Sequence, residues 1–248
     1  MRLLADLGNT RLKLAACEGT QIEPLASFVH GEPEFAAQLA AWIDARALPR
    51  QLWLASVAAP SRTATVAALF EAAGITVHAV ATQRTALGLV TAYTRFEQLG
   101  VDRWLALLAL HLGGAAPCLA AGIGSALTCD ALAPEGAHLG GLIAPTPEAM
   151  RLALRARAPG LSAARGAVET FARSTEDGIE SGCILAAVGL IERAQQALAA
   201  RLGVPVRLVV SGGAAEPLRP FLPAHEFRPA LVLEGLALWS QACAAGRA

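Results

Sequence analysis

Asp6, Gly8, Asn9, Thr10 and Lys13 lie together where one apolar run reverses into another. These residue types suit phosphate chemistry. Glycine lets the backbone approach a phosphoryl group, turn N–H groups and the Asn and Thr side chains donate to its oxygens, and Lys13 adds positive charge. The carboxylate of Asp6 at the strand end can hold Mg2+, directly or through water, as phosphoryl transfer requires. The same residues also suit an ordinary hairpin turn. A second group lies in YTRFEQLGVDR, Tyr93 to Arg103. Asp102 at the edge of a cleft can accept a proton from a substrate hydroxyl, and Arg103 can bind a carboxylate or the transferring phosphoryl group. An acid in the first turn of a helix beside a surface arginine is the plainer reading of that pair. Gly140-Gly141 and Gly212-Gly213 can let a flat ring approach the backbone, although glycine pairs are common in turns.

The elements that must position these groups belong to a chain of 248 residues with 20 basic and 20 acidic side chains, hence no net charge. That balance supplies no field to gather nucleic acid or an anionic membrane. With 54% apolar and 16% charged residues the chain folds, as one large domain or two smaller ones. Alanine fills 56 positions and arginine 19, while Asn9, Lys13 and Tyr93 are the sole residues of their types. GC-rich codons account for the skew, and the three rare residues all fall in the two candidate segments. The start MRLLADLG has Asp6 where a secretory signal needs an apolar core, which predicts a cytoplasmic protein. Five widely spaced cysteines without a Cys-x-x-Cys pair predict buried, reduced thiols and no zinc cluster. Trp104 to Cys129 has no Asp, Glu, Lys or Arg, but its glycines and Pro117 predict a helix end followed by a buried strand, not a membrane span.

Alternating apolar runs and helical patterns predict an α/β protein. Strands are expected at 2–6, 11–16, 21–29, 51–57 and 75–80, with helices at 32–46 and 60–73. A loop then leads to Tyr93 and a helix over 96–112. The pattern restarts with strands at 117–121, 127–132 and 138–144, helices at 147–157 and 174–202, a strand at 206–210 and a final helix. The turns at 6–10 and 122–126 occupy equivalent places, so the architecture reads as duplicated, with domains 1–113 and 114–248. Ser174 and Asp177 form a capping pattern. Gly178, Gly182 and Ala186 make a smooth stripe suited to close helix packing, within the chain or between chains.

The ordered motifs D-x-G-N-T-x-x-K, Y-x(6)-G-V-D-R-W, G-x-G-S-A-x-T-x-D, GG-x-I-x-P, S-T-x-x-x-I-x-S-G and V-x-S-G-G together resemble the type III pantothenate kinases. The resemblance runs from Asp6 to Leu236, and LGVDRWLALLAL is its most specific part. It implies an actin-like, hexokinase-related (ASKHA) fold of two duplicated ribonuclease H-like domains with a nucleotide cleft between them. The implied reaction is ATP-dependent phosphorylation of pantothenate, the first step of coenzyme A synthesis. By matching position, Asp6, Leu7, Gly8, Asn9, Thr10, Arg11, Leu12, Lys13 and Ser125 would bind ATP phosphates, with Mg2+ at Asp6. Asp102 would be the general base, with Tyr93, Gly100, Val101, Arg103 and Thr175 binding pantothenate, Thr175 across a homodimer interface. The family's second phosphate motif opens with an aspartate that ligates K+ or NH4+, where this chain has Gly122; Asp130 remains downstream. A non-catalytic accessory factor or another actin-like small-molecule kinase are the alternatives. Retention of Asp6, Lys13, Asp102 and Arg103 favours catalysis, and the GVDR segment favours pantothenate.

Overall fold

A computed structural model describes residues 1–247, which form two compact units. The first contains Met1–Gly114, Glu135–His138 and the C-terminal segment from Ala230. Its opening alternation of apolar and polar residues gives the antiparallel strands β1 (Arg2–Leu7), β2 (Arg11–Glu18) and β3 (Gln21–Val29). Helix α1 (Phe35–Asp44), strand β4 (Gln51–Ser56), helix α2 (Pro60–Ala72) and strand β5 (Thr76–Val80) follow. The helices act as crossovers, so β4 pairs parallel to β1 and β5 parallel to β4, giving the order β3-β2-β1-β4-β5.

Side-chain alternation along β1 divides its residues between two faces. Leu3, Ala5 and Leu7 join Phe35, Leu39 and Phe70 in a core against α1 and α2. Leu4 and Asp6 point the other way, toward the face covered by helices α3 (Val101–Leu112) and α6 (Leu231–Ala244). The helix expected over 96–112 is shorter than that. A single 3-10 turn at Phe96–Gln98 gives way to extended backbone at Leu99 and Gly100, and α3 starts at Val101. The loop expected before Tyr93 contains a small hairpin, β6 (Thr85–Ala86) and β7 (Leu89–Val90).

The second unit, Ala115–Pro134 with Leu139–Pro229, repeats the scheme. It holds β8 (Cys118–Ile123), β9 (Leu127–Leu132), all but the first residue of β10 (His138–Ala144), α4 (Pro147–Arg157), α5 (Thr175–Leu202), β11 (Arg207–Ser211) and β12 (Glu226–Phe227). The sheet order β10-β9-β8-β11-β12 matches that of the first unit, with an antiparallel β8–β9 pair and parallel β8–β11 and β11–β12 pairs. Gly122 and Ile123, expected in the turn, belong to β8, so the turn shrinks to residues 124–126. The two-residue β12 is too short to leave a periodic signal. Ser174 caps α5 by accepting the Asp177 N–H, and Gly203 in the left-handed region ends it. By length and composition α5 is apolar enough to cross a membrane. However, Ile184, Ala187, Val188 and Ile191 pack into the second core and Glu180 is buried in ion pairs, which marks it as a core helix. Four of the five cysteines are buried.

Helices α3 and α6 meet closely at Gly235, where an added Cβ would run into the Leu105 backbone. Trp104 and Trp239 meet edge-to-face nearby, with centroids 5.0 Å apart. Because backbone has no rotamer to yield, Gly235→Ala is expected to destabilise the protein by about 1 to 3 kcal/mol in chemical denaturation. A fully stable variant would show that the two helices are not packed this tightly.

Candidate active site

The antiparallel register of β1 and β2 places Asp6 directly opposite Lys13, so both side chains stand on one face. Lys13 Nζ lies 3.9 Å from Asp6 Oδ2, and the Asp6 side chain is only 13% exposed. At that separation the ion pair offsets little of the cost of burying a carboxylate. Burial therefore pushes the Asp6 carboxyl up to about 6, against the pull of Lys13, and the negative charge of Asp102 adds to the rise. Asp6 and Asp102 consequently share one electrostatic site, built where the β1 face meets the start of α3.

Between the strands, the Gly8 N–H donates to the Arg11 carbonyl at 3.0 Å and closes the turn. Asn9, Thr10 and Arg11 are exposed there, whereas Leu7 and Leu12 bury their side chains in the core and offer only backbone groups. His30, which no motif flagged, fastens this turn. Its Nε2–H donates to the Gly8 carbonyl at 2.7 Å and its backbone N–H to Thr10 at 3.2 Å, while its ring meets Phe35 edge-on. The signal lies in the register of β3 beside β2, not in any local pattern.

Gly100 is the N-cap of α3, which places Asp102 in the first turn, where the helix dipole favours negative charge. The Asp102 Oδ1 accepts the Arg103 N–H at 2.8 Å. A Cβ on Gly100 would sit 2.6 Å from that same oxygen, so the carboxylate fills space that only glycine leaves. Arg103 is nearly buried, donates from Nη1 to the Tyr93 hydroxyl at 3.1 Å and lies over the Tyr93 ring. This is not the surface arginine of the plainer reading. Val101 is buried beside it.

In the second unit, Ser125 is exposed in the short turn after β8. Gly212 takes a positive φ of 98° and lies against the Ile123 backbone, where any Cβ would collide. The Ala214 N–H donates to Ile123 at 3.0 Å, so the second glycine pair braces this turn. A Cβ on Gly122 would fall 2.7 Å from Thr128 Oγ1. Asp130 is buried on β9. Thr175 is exposed at the first turn of α5.

A five-stranded sheet that opens as an antiparallel meander and continues in parallel, with its strand order repeated in the second unit, defines an actin-like α/β protein of duplicated ribonuclease H-like units. A conserved Baf family protein of Campylobacter jejuni has a solved structure with the same fold, at a TM-score of 0.64 and 17% identity, covering 99% of this chain and 100% of that one. The chain belongs to the type III pantothenate kinase family, whose sequence model matches residues 2–197. The type III pantothenate kinase of Xanthomonas euvesicatoria pv. vesicatoria is 46% identical over 242 residues, 97% of this chain and 98% of that relative. That of Xanthomonas campestris pv. campestris is 45% identical over 242 residues, 98% of each chain.

The raised Asp6 carboxyl has a consequence for stability. The native protein keeps this proton up to about pH 6, whereas an unfolded chain releases it near 3.8. The unfolded state thus binds fewer protons in this window, and stability falls as pH rises through it. In metal-free buffer, the stability of Asp6→Asn relative to wild type is expected to rise by about 2 to 3 kcal/mol between pH 4 and pH 8. A difference that stays flat across that range would contradict the buried, charged assignment.

Proposed function

We infer that the protein transfers the γ-phosphoryl group of ATP to pantothenate, forming 4'-phosphopantothenate and ADP in the first step of coenzyme A biosynthesis. Family membership supports the reaction, and one observation carries its assignment to residues. Asp102 stands at the start of α3, beside Asp6 of the phosphate strand and next to the buried Arg103. Asp102 takes the proton of the pantothenate primary hydroxyl as that oxygen attacks the γ-phosphorus and the bond to the β-phosphate oxygen breaks. Arg103, held by Tyr93, binds the pantothenate carboxylate or the transferring phosphoryl group. Backbone groups of residues 7 to 12, with the side chains of Asn9, Thr10, Arg11 and Lys13, hold the ATP phosphates.

A divalent cation fits Asp6, because its buried carboxylate is incompletely balanced by Lys13 at 3.9 Å. Mg2+ bound there would neutralise phosphate charge. The residues do not fit an aspartate-ligated monovalent cation. Gly122 supplies no carboxylate, and Thr128 Oγ1 occupies the place its side chain would enter. At constant ionic strength, K+ or NH4+ is expected to give no stimulation over Na+. A strong, selective activation by K+ would overturn that expectation.

Homodimerisation is supported by α5. Gly178, Gly182, Leu185, Ala186 and Gly189 are all exposed, and a Cβ at any of the three glycines would meet nothing. Among the described residues the small-residue stripe is therefore left open, with room for the helix of a second copy. Thr175 and the 87% exposed Phe171 lie at the same end, consistent with a site completed by the partner. A soluble, cytoplasmic enzyme is the compartment that suits this metabolic role.

The test is an ATP-dependent phosphorylation assay with pantothenate on purified protein. Product is expected from wild type, and Asp102→Asn is expected to lower kcat by at least about 100-fold with little change in thermal midpoint. No product from folded wild-type protein sinks the enzyme reading, and near wild-type turnover by Asp102→Asn removes this residue as the base.

A further inference from the structure

Residues 135 to 138 leave the sequence of the second unit and pack in the first. Two left-handed turns lock them there. Leu87-Gly88 and Glu135-Gly136 all have positive φ, and both glycines lie against the ring of His111 on the last turn of α3. A side chain at Gly136 would strike both the Gly88 carbonyl and the His111 imidazole. Ala137 then forms a bridge with Val90, and the next residue, His138, is delivered beside Tyr93.

His138 is 3% exposed, and its ring stacks on that of Tyr93 at 5.9 Å between centroids and 24° between planes. Its Nδ1 accepts the N–H of Ala92, the residue before Tyr93, at 3.4 Å. One imidazole thus fixes both the backbone and the ring of the tyrosine whose hydroxyl receives Arg103. Tyr93 would otherwise lie at the end of a loop, with a backbone free to carry its ring away from the guanidinium. We propose that His138 is a positioning residue for pantothenate, acting through Tyr93 to hold Arg103 in its binding geometry. This rests on the kinase reading and adds the device that keeps the acceptor site in shape.

Three variants test it: His138→Leu, which keeps apolar volume, His138→Phe, which keeps the stacking face, and His138→Leu in a Tyr93→Leu background. Thermal melts establish that each is folded. His138→Leu is expected to raise the KM for pantothenate about tenfold while the KM for ATP moves less than about twofold, with His138→Phe recovering most of the loss. When Tyr93 is already leucine, adding His138→Leu is expected to change the pantothenate KM by less than about twofold, since the two effects run through one contact. An unchanged pantothenate KM in folded His138→Leu, an equal rise for both substrates, or full additivity with Tyr93→Leu overturns the inference while leaving the kinase reading intact. Absence of turnover by wild type in the same assay overturns both.

Discussion

The carboxylate of Asp102 occupies the volume that a side chain at position 100 would take. The arrangement of the site follows from that substitution of one group for another. Gly100 ends the extended segment and caps α3, the dipole of α3 favours charge at its first turn, and the Arg103 N–H fixes one carboxylate oxygen. The sheet face that carries Asp6 is covered by α6 over β1 and by α3 over β4, and the charge of Asp102 at the start of α3 is felt at Asp6. Neither acid is placed by a long flexible segment.

Gathering this much charge in a partly buried place works against stability. Asp6 is held deprotonated only at a cost, with Lys13 too far away to offset it fully. The surroundings are correspondingly stiff. His30 ties the turn between β1 and β2 to the end of β3, Thr82 donates to the Leu99 carbonyl at 2.7 Å, and α3 is clamped to α6 at Gly235. In the second unit the same logic appears with a different residue set, where Gly212 braces the short turn and Thr128 fills the space over Gly122.

Much of this was legible in the sequence, and for identifiable reasons. Short apolar runs around a Gly-Asn turn revealed β1 and β2, whereas the pairing of Asp6 with Lys13 came from the register of the two strands. The repeated order of strands exposed the duplication. The extended pair Leu99 and Gly100 hid the true start of α3, because the apolar period of 96–112 continues through the break and periodicity does not register two non-helical residues. His30 and His138 were invisible for another cause: each acts on a residue distant in sequence, through a register or a left-handed turn that no single-sequence pattern encodes. The α5 stripe was visible as composition, but only its exposure distinguishes packing within the chain from packing between chains.

The account stands on the space beside Gly100, and one substitution addresses it directly. The φ of −52° and ψ of 135° at Gly100 are open to alanine, so Gly100→Ala adds a methyl group against the Asp102 carboxylate without backbone strain. Steady-state kinetics of this variant with ATP and pantothenate should show kcat reduced about 100-fold, with the thermal midpoint close to that of wild type. A folded Gly100→Ala protein with wild-type kcat would contradict the claim that this space sets the position of Asp102, the proposed base.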